Sequence, residues 1–458
     1  VVLAALLVVG GGLGFLLSLG DDESSGDGAA GTGVEATAAW DVVVLDDPVA
    51  GVVTLHDTEG VEVARVSTRL QGVLDVGLPG TVVLGAAGDP AADGLGILDL
   101  ATAAITPIDV RLPVVERLGA SSYLLASDQS TGAVQVVDVA RGRVIDLTSL
   151  AGDGAVVVPD TVRTTDDASR LAFSELRNGQ TVLVDLTGTD DPPDTVVLPG
   201  LLADLTDTRV ATTTNRGATM LVDLYDVAGT RLGTTETVPL VGVMVVGDTT
   251  LVGVGTDASL LRIDATAAKA DARDDLQQRL DDLLGEGARP VAVRGAQVVL
   301  EHRRLAVVGA GWSAFIDTDG AVVSISMLDI ENTSIDAAAT TLQCVLVYGS
   351  PTEPSTLFDA TDGTAIATFD PSVPIGASVD GCTVARQGFG TLPGSWRGYR
   401  VAGPDLDVAP TQRVVALAPD GTAALVSGGG VSLLRFDTDS PVALTSSTAL
   451  GTFARLRS

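Results

Sequence analysis

An apolar run that ends in Asp and then breaks at a turn recurs along this chain, and its spacing leaves few folds open. VVDVARG, from Val136 to Gly142, shares its outline with LHDTEG, VDLTG, YDVAG, IDTDG and FDATDG. Aligned on that position, ten units appear, marked by Asp57, Asp99, Asp138, Asp185, Asp226, Asp264, Asp317, Asp359, Arg400 and Asp437, at spacings of 37 to 53 residues. A second run aligns within the units: TVVLGAA from Thr81, SYLLASD from Ser122, RLAFSEL from Arg170, RLAVVGA from Arg304, CVLVYGS from Cys344 and TAALVSG from Thr422. After a polar loop, each is followed by another apolar run that ends at the marker, which reads as strand, hairpin and strand.

A period near forty residues with about four short strands per unit is the spacing of β-propeller blades. The expected fold is therefore all-β, a propeller of about ten repeat units, with seven or eight blades as the conservative alternative because single rings usually hold four to eight. The first unit opens at Trp40 without an innermost strand, and GTFARL, from Gly451, has no unit of its own. Pairing the two would close one ring. The stretches APDGTAALVS from Ala418, SVDGCTVARQ from Ser378 and TDDASRLAFS from Thr165 resemble the Ser-Pro-Asp-Gly turns of YVTN and TolB-like propeller repeats. The resemblance spans Trp40 to the C-terminus; it implies the fold and says little about activity, and the full Ser-Pro-Asp-Gly form occurs nowhere.

Six of the nine marker Asp residues carry a Gly three or four positions later. That pattern suits a carboxylate accepting nearby amides and a Gly at positive φ in a tight turn. A reacting carboxylate would not need nine copies, so the markers read as hairpin punctuation.

The chain begins VVLAALLVVGGGLGFLLSLG, without a charge before Asp21. Residues 1–19 as a helix would rise about 28 Å, close to the hydrocarbon thickness of a bilayer, so a single transmembrane anchor is expected, with a cleaved signal segment as the rival. Residues 20–38 form an acidic Gly/Ser linker, and 39–458 the propeller. With 27 basic and 59 acidic residues the net charge is −32, which excludes nucleic acid as a natural partner. Acidic linker and body suit the extracytoplasmic side of a cell membrane, or secretion if the segment is cleaved.

Within the 53-residue spacing, AKADARDDLQQRLDDLL, Ala268 to Leu284, has helical periodicity and predicts a short amphipathic helix inserted on the propeller. Cys344 and Cys382 begin equivalent strands of neighbouring units, which predicts a disulfide in an oxidising compartment. His56 and His302 sit beside turns without a catalytic signature and read as exposed turn residues. IDTDG and FDATDG lack the ligand ladder of a calcium loop. GAGW, Gly309 to Trp312, is no phosphate cradle, since no βαβ pattern follows it.

No catalytic, cofactor-binding or metal-ligating residue is singled out. A calcium ion held by channel carboxylates is the one cofactor alternative. The expected role is a binding platform for a protein or glycan at the cell envelope. The alternative is a propeller enzyme, of the quinoprotein dehydrogenase kind or a calcium-dependent lactonase or lyase. Only Trp40, Trp312 and Trp396 are present to support the first, and two His residues the second.

Overall fold

A computed structural model describes the chain from residue 40 to residue 456, interrupted by stretches between strands, of which 86–93, 285–292 and 336–343 are the longest. The expected segments at 1–19 and 20–38 lie outside the described residues. Among the described residues the chain forms ten antiparallel sheets of four strands each. The fifth shows the plan: Leu201–Leu205, Arg209–Asn215, Met220–Asp226 and Arg231–Thr237 pair in chain order. The innermost strands of successive sheets lie side by side, as Leu201–Leu205, Leu240–Val245 and Val293–Val299 do.

Burial across a sheet explains the sequence pattern. The second and third strands are covered on both faces by neighbouring sheets, so Tyr123–Asp128, Arg170–Glu175 and Gln180–Asp185 are buried along nearly their whole length. They read as continuous apolar runs rather than as alternating ones. The fourth strands form the rim, and Glu62–Ser67 and Lys269–Arg273 are largely exposed and polar. Each core is shared between two sheets. Tyr123, Leu125 and Val136 of the third sheet interleave with Leu171, Phe173 and Val182 of the fourth, and each such side chain contributes roughly 1.5–3 kcal/mol on full burial.

The first sheet joins the two ends of the described chain. Leu450–Ala454 is its innermost strand and pairs with Val42–Asp47, matching Val43 with Phe453. Asp41 N donates to Ala454 O at 3.1 Å. The Trp40 ring meets Phe453 edge-on at 4.8 Å, and its Nε1 donates to Thr422 Oγ1 of the tenth sheet at 3.1 Å. GTFARL therefore supplies the strand that the first repeat lacks.

Among the described residues two α-helices interrupt the strands. Helix α1, Leu147–Ala151, is capped by Asp146, whose Oδ1 accepts Ser149 N at 3.0 Å. Helix α2, Asp275–Leu284, buries Leu276 and Leu280 in the core between the sixth and seventh sheets, and Arg279 Nη1 donates to Val322 O at 3.0 Å. The helix is shorter than the Ala268–Leu284 pattern predicts. Lys269–Arg273 instead pairs with Leu260–Asp264 as the fourth strand of the sixth sheet. Strand pairing overrides the helix propensity of Ala and Lys there, and Ala268 at φ +49° turns the chain away from a helix.

Candidate functional site

Antiparallel pairing puts all described markers at one end of the sheets. Each ends a third strand opposite the start of a second strand: Asp138 faces Tyr123, Asp226 faces Arg209 and Asp359 faces Cys344. We call this end the aspartate face and the other the opposite face. Asp57, Asp99, Asp185, Asp226, Asp264, Asp317 and Asp359 each accept the backbone N–H two residues on. Asp138 accepts Arg141 N, three on, at 3.1 Å. Asp226 Oδ1 also takes Thr230 N at 2.7 Å, and Asp317 Oδ1 takes Ala321 N at 2.9 Å. These are turn-closing bonds. Asp437 lies outside the described residues.

The turns of this face also join neighbouring sheets. Asp207 Oδ1 of the fifth sheet accepts Asp166 N of the fourth at 2.8 Å. Arg209 pairs with Asp248 of the sixth at 2.8 Å, and Arg141 Nη1 of the third reaches Leu186 O of the fourth at 3.2 Å. Asp204 ends the innermost strand of the fifth sheet and is buried. Its Oδ1 accepts Leu205 N at 2.9 Å, and its Oδ2 accepts Val245 N of the sixth sheet at 2.7 Å. Arg303 of the seventh sheet, at φ +45°, donates from Nη2 to Asp204 Oδ2 at 2.7 Å and also to Val245 O. Burial pushes the Asp204 carboxyl above its ordinary range against the pull of Arg303.

Asp204 also lines a cavity of about 250 Å³ on the inner wall, spanning the fourth to seventh sheets. Leu202, Ala203, Leu240, Val241, Val243 and Val298 are among its apolar lining residues, with Arg163, Thr164 and Thr213 as further polar members. Its buried carboxylate is already bonded to three donors and offers little for acid–base work. Among the described residues no three His, Cys, Asp or Glu side chains gather as a metal would require.

Several single residues settle differently from their sequence reading. His56 is buried, with Nδ1 3.2 Å from Gly60 O and Nε2 3.0 Å from Thr54 Oγ1; the turn folds over the ring, which corrects the expectation of exposure. His302 lies outside the described residues. Gly311, at φ +76°, turns the GAGW hairpin, and a Cβ on Gly309 would lie 2.1 Å from the Trp312 ring. Its glycines thus serve packing. Cys344 is buried and is not a free thiol. Cys382 lies outside the described residues, immediately before Thr383, which faces Arg400 at the same end of its sheet.

Sequence reasoning missed Glu175, which nothing in the repeat distinguishes. It is buried at the opposite face, where Oε1 accepts Arg177 N at 2.7 Å and Val156 N at 3.2 Å, and Oε2 accepts Asn178 N at 2.9 Å.

Exposed apolar residues divide unequally between the faces. Of twelve exposed large hydrophobics among the described residues, Val49, Val156, Leu176 and Val238 lie on opposite-face connections and Met327 ends a rim strand at that face. Val61 and Leu456 lie on aspartate-face connections, Leu283 stands on helix α2, and the other four stand within rim strands. Four of the opposite-face residues follow in chain order from the fourth sheet to the seventh: Val156 O accepts Leu176 N at 2.9 Å, Val238 links the fifth and sixth sheets, and Met327 ends the fourth strand of the seventh.

No protein-family model and no curated protein matches the sequence. Among solved structures, the chain is similar to a eukaryotic initiation factor at 14% identity, over 81% of this chain and 95% of that one, with a TM-score of 0.44. It is similar to the dihydro-heme d1 dehydrogenase NirN at 12% identity, over 93% and 78%, with a TM-score of 0.41. BamB from Moraxella catarrhalis aligns at 16% identity, over 69% and 92%, with a TM-score of 0.38. These likenesses are distant, and the propeller architecture stands on the chain's own repeated sheets and on the pairing that joins its ends.

Proposed function

We propose that this chain is a membrane-anchored, extracytoplasmic propeller that serves as a protein-binding platform at the cell envelope. In this reading residues 1–19 cross the membrane, 20–38 form a tether, and the ten sheets are the blades of one ring related to the YVTN and TolB-like propellers. A disulfide between Cys344 and Cys382 ties its eighth and ninth blades. The observation that carries the binding role is the run of exposed apolar side chains on the opposite face, from Val156 to Met327. Val156 and Leu176, both exposed and joined by a backbone hydrogen bond, begin that run, and exposed apolar side chains suit a protein partner better than a glycan.

A photo-crosslinker placed in turn at Leu176, Val238 and Thr318 in envelope membranes tests this. The first two positions should yield a discrete adduct and Thr318, on the aspartate face, none. An adduct from Thr318 alone would move the docking surface to the other face. No adduct from any position, together with stoichiometric calcium in the purified protein, would turn the reading to the enzyme.

A further inference from the structure

We infer that Asn178 is a site of spontaneous deamidation and that the buried carboxylate of Glu175 sets its rate in the folded chain. The chain has three asparagines, Asn178, Asn215 and Asn332, and of these Asn178 alone precedes a glycine. In an Asn-Gly pair the glycine nitrogen reaches the side-chain carbonyl with no side chain of its own in the way. The step forms a bond from Gly179 N to Asn178 Cγ and breaks the Cγ–Nδ2 bond, and ammonia leaves with the proton that Gly179 N gives up. Water then adds across either carbonyl–nitrogen bond of the cyclic imide, leaving aspartate or isoaspartate at position 178. The reaction needs no co-reactant besides solvent, and it stands whether or not the chain is a binding platform.

The turn both admits this reaction and restrains it. Leu176, Arg177, Asn178 and Gly179 form the exposed tip of the hairpin between the second and third strands of the fourth sheet. Gly179 is at φ +63°, and a Cβ there would meet nothing within 4 Å, so the nitrogen is open to approach. The backbone around it is pinned: Arg177 N and Asn178 N donate to Glu175 at 2.7 and 2.9 Å, and Gly179 O accepts Gly200 N at 2.9 Å. Closing an imide ring between two such residues needs the turn to open locally, and Glu175 is the latch that resists it. Other turns lack the chemistry. Asp319–Gly320 and Asp362–Gly363 share the positive φ, +74° and +69°, but an ionised carboxylate is a poor target for the nitrogen. Asn215 Oδ1 is held by Gly217 N at 2.8 Å, and its attacking neighbour would be Arg216. Once formed, the product sets a second carboxylate beside Glu175 in place of an amide that helps hold the Glu175 carboxyl below its ordinary range. The modified turn, which carries the exposed Leu176, should therefore be held more loosely than the parent's.

Incubation of the purified full chain at neutral pH, followed by peptide mass mapping and isoaspartate-specific methylation, tests this. Conversion should appear at position 178 ahead of Asn215 and Asn332, and several-fold more slowly in the folded protein than in denaturant. Glu175→Gln, and Glu175→Asp with its shorter reach, should each quicken it several-fold in the folded protein and leave the rate in denaturant unchanged. Gly229→Ala, a destabilising change in the fifth sheet, should leave the folded rate at 178 as it is, which separates the latch from a general loss of stability. Absence of conversion at 178 in every folded protein, while the denatured chain converts, overturns the site. Equal folded rates in the parent and both Glu175 variants, or the same quickening from Gly229→Ala, overturn the role of Glu175.

Discussion

Asp204 and Glu175 are both buried carboxylates at strand ends in adjoining sheets, one at each face, yet their surroundings push them opposite ways. Glu175 is served locally. Burial alone would raise its carboxyl, but the N–H groups of Asn178, Val156 and Arg177 together hold it below its ordinary range. Asp204 is served from a distance, by an amide of the next sheet and by an arginine two sheets away. Burial outweighs those partners and the carboxyl is raised. At these two sites the opposite face closes its own turn, while the aspartate face spends its polar groups joining one sheet to the next.

Removing a staple is the harshest way to break the comparison. Arg303→Ala strands a buried carboxylate, and loss of one partner from such a pair costs about 3–5 kcal/mol. Because Arg303 is partly exposed, the lower end is expected in denaturant unfolding. Sign matters for its pH dependence. A carboxyl whose folded pKa is raised loses stability as pH rises from the unfolded value through the folded one. The variant's deficit should therefore shrink on acidification below neutrality, where Asp204 takes up a proton. A deficit unchanged between neutral and acid pH would mean that Arg303 acts through packing instead.

Cys344 starts a second strand at the aspartate face, opposite Asp359, so reduction probes the same stapling. If Cys344 and Cys382 are bonded, closing that loop stabilises the chain by roughly 3–4 kcal/mol, and reductant should lower the unfolding midpoint accordingly. A Cys344→Ser/Cys382→Ser variant should melt like the reduced protein and ignore reductant. On the opposite face, Glu175→Gln should cost about 1–3 kcal/mol at pH 7, the range for losing charge-assisted bonds from buried donors. Here the folded pKa is lowered, so the carboxylate's contribution is present above the ordinary Glu value of 4.5 and is lost as pH falls through the folded one. Melts of Glu175→Gln and the parent should converge in acid, as those of Arg303→Ala and the parent should, although the amides lower the Glu175 carboxyl and burial raises the Asp204 one.

Much of the architecture was legible because it repeats. The markers fall where they do because a forty-residue unit must return to the same face after four strands, and the unpaired first repeat pointed to the strand at Leu450–Ala454. What stayed hidden depends on contacts without periodicity. Arg303 meets Asp204 across 99 positions of sequence, and no pattern in either repeat unit announces the pairing. The strand at Lys269–Arg273 read as helix because its own residues prefer one, and only its pairing with Leu260–Asp264 decides otherwise. His56 was misread because a residue beside a turn can still point inward. The pairing of Val156 with Leu176 on the opposite face joins two connections that share no motif.

The smallest effect tests how literally the turn rule was read. Gly60, Gly142, Gly229, Gly320 and Gly363 follow their markers with φ between +63° and +85°, and where the glycine is missing after Asp99 and Asp264, Ala103 and Ala268 take φ +54° and +49°. The backbone rule is therefore broader than the sequence rule: the turn demands a left-handed residue, and alanine accepts the strain twice. Gly229→Ala should destabilise by more than about 1 kcal/mol, from left-handed strain and because its Cβ would lie 2.4 Å from Val196 Cγ1 of the fourth sheet. Ala268→Gly relieves about 1 kcal/mol of strain but returns about 0.4–1 kcal/mol of freedom to the unfolded chain, so its melt should fall within about 0.5 kcal/mol of the parent. A clear loss at Ala268→Gly would mean that the methyl group packs usefully at an exposed turn. A clear gain would show that the Asp264 turn holds its shape against a strain which the glycine-bearing turns avoid.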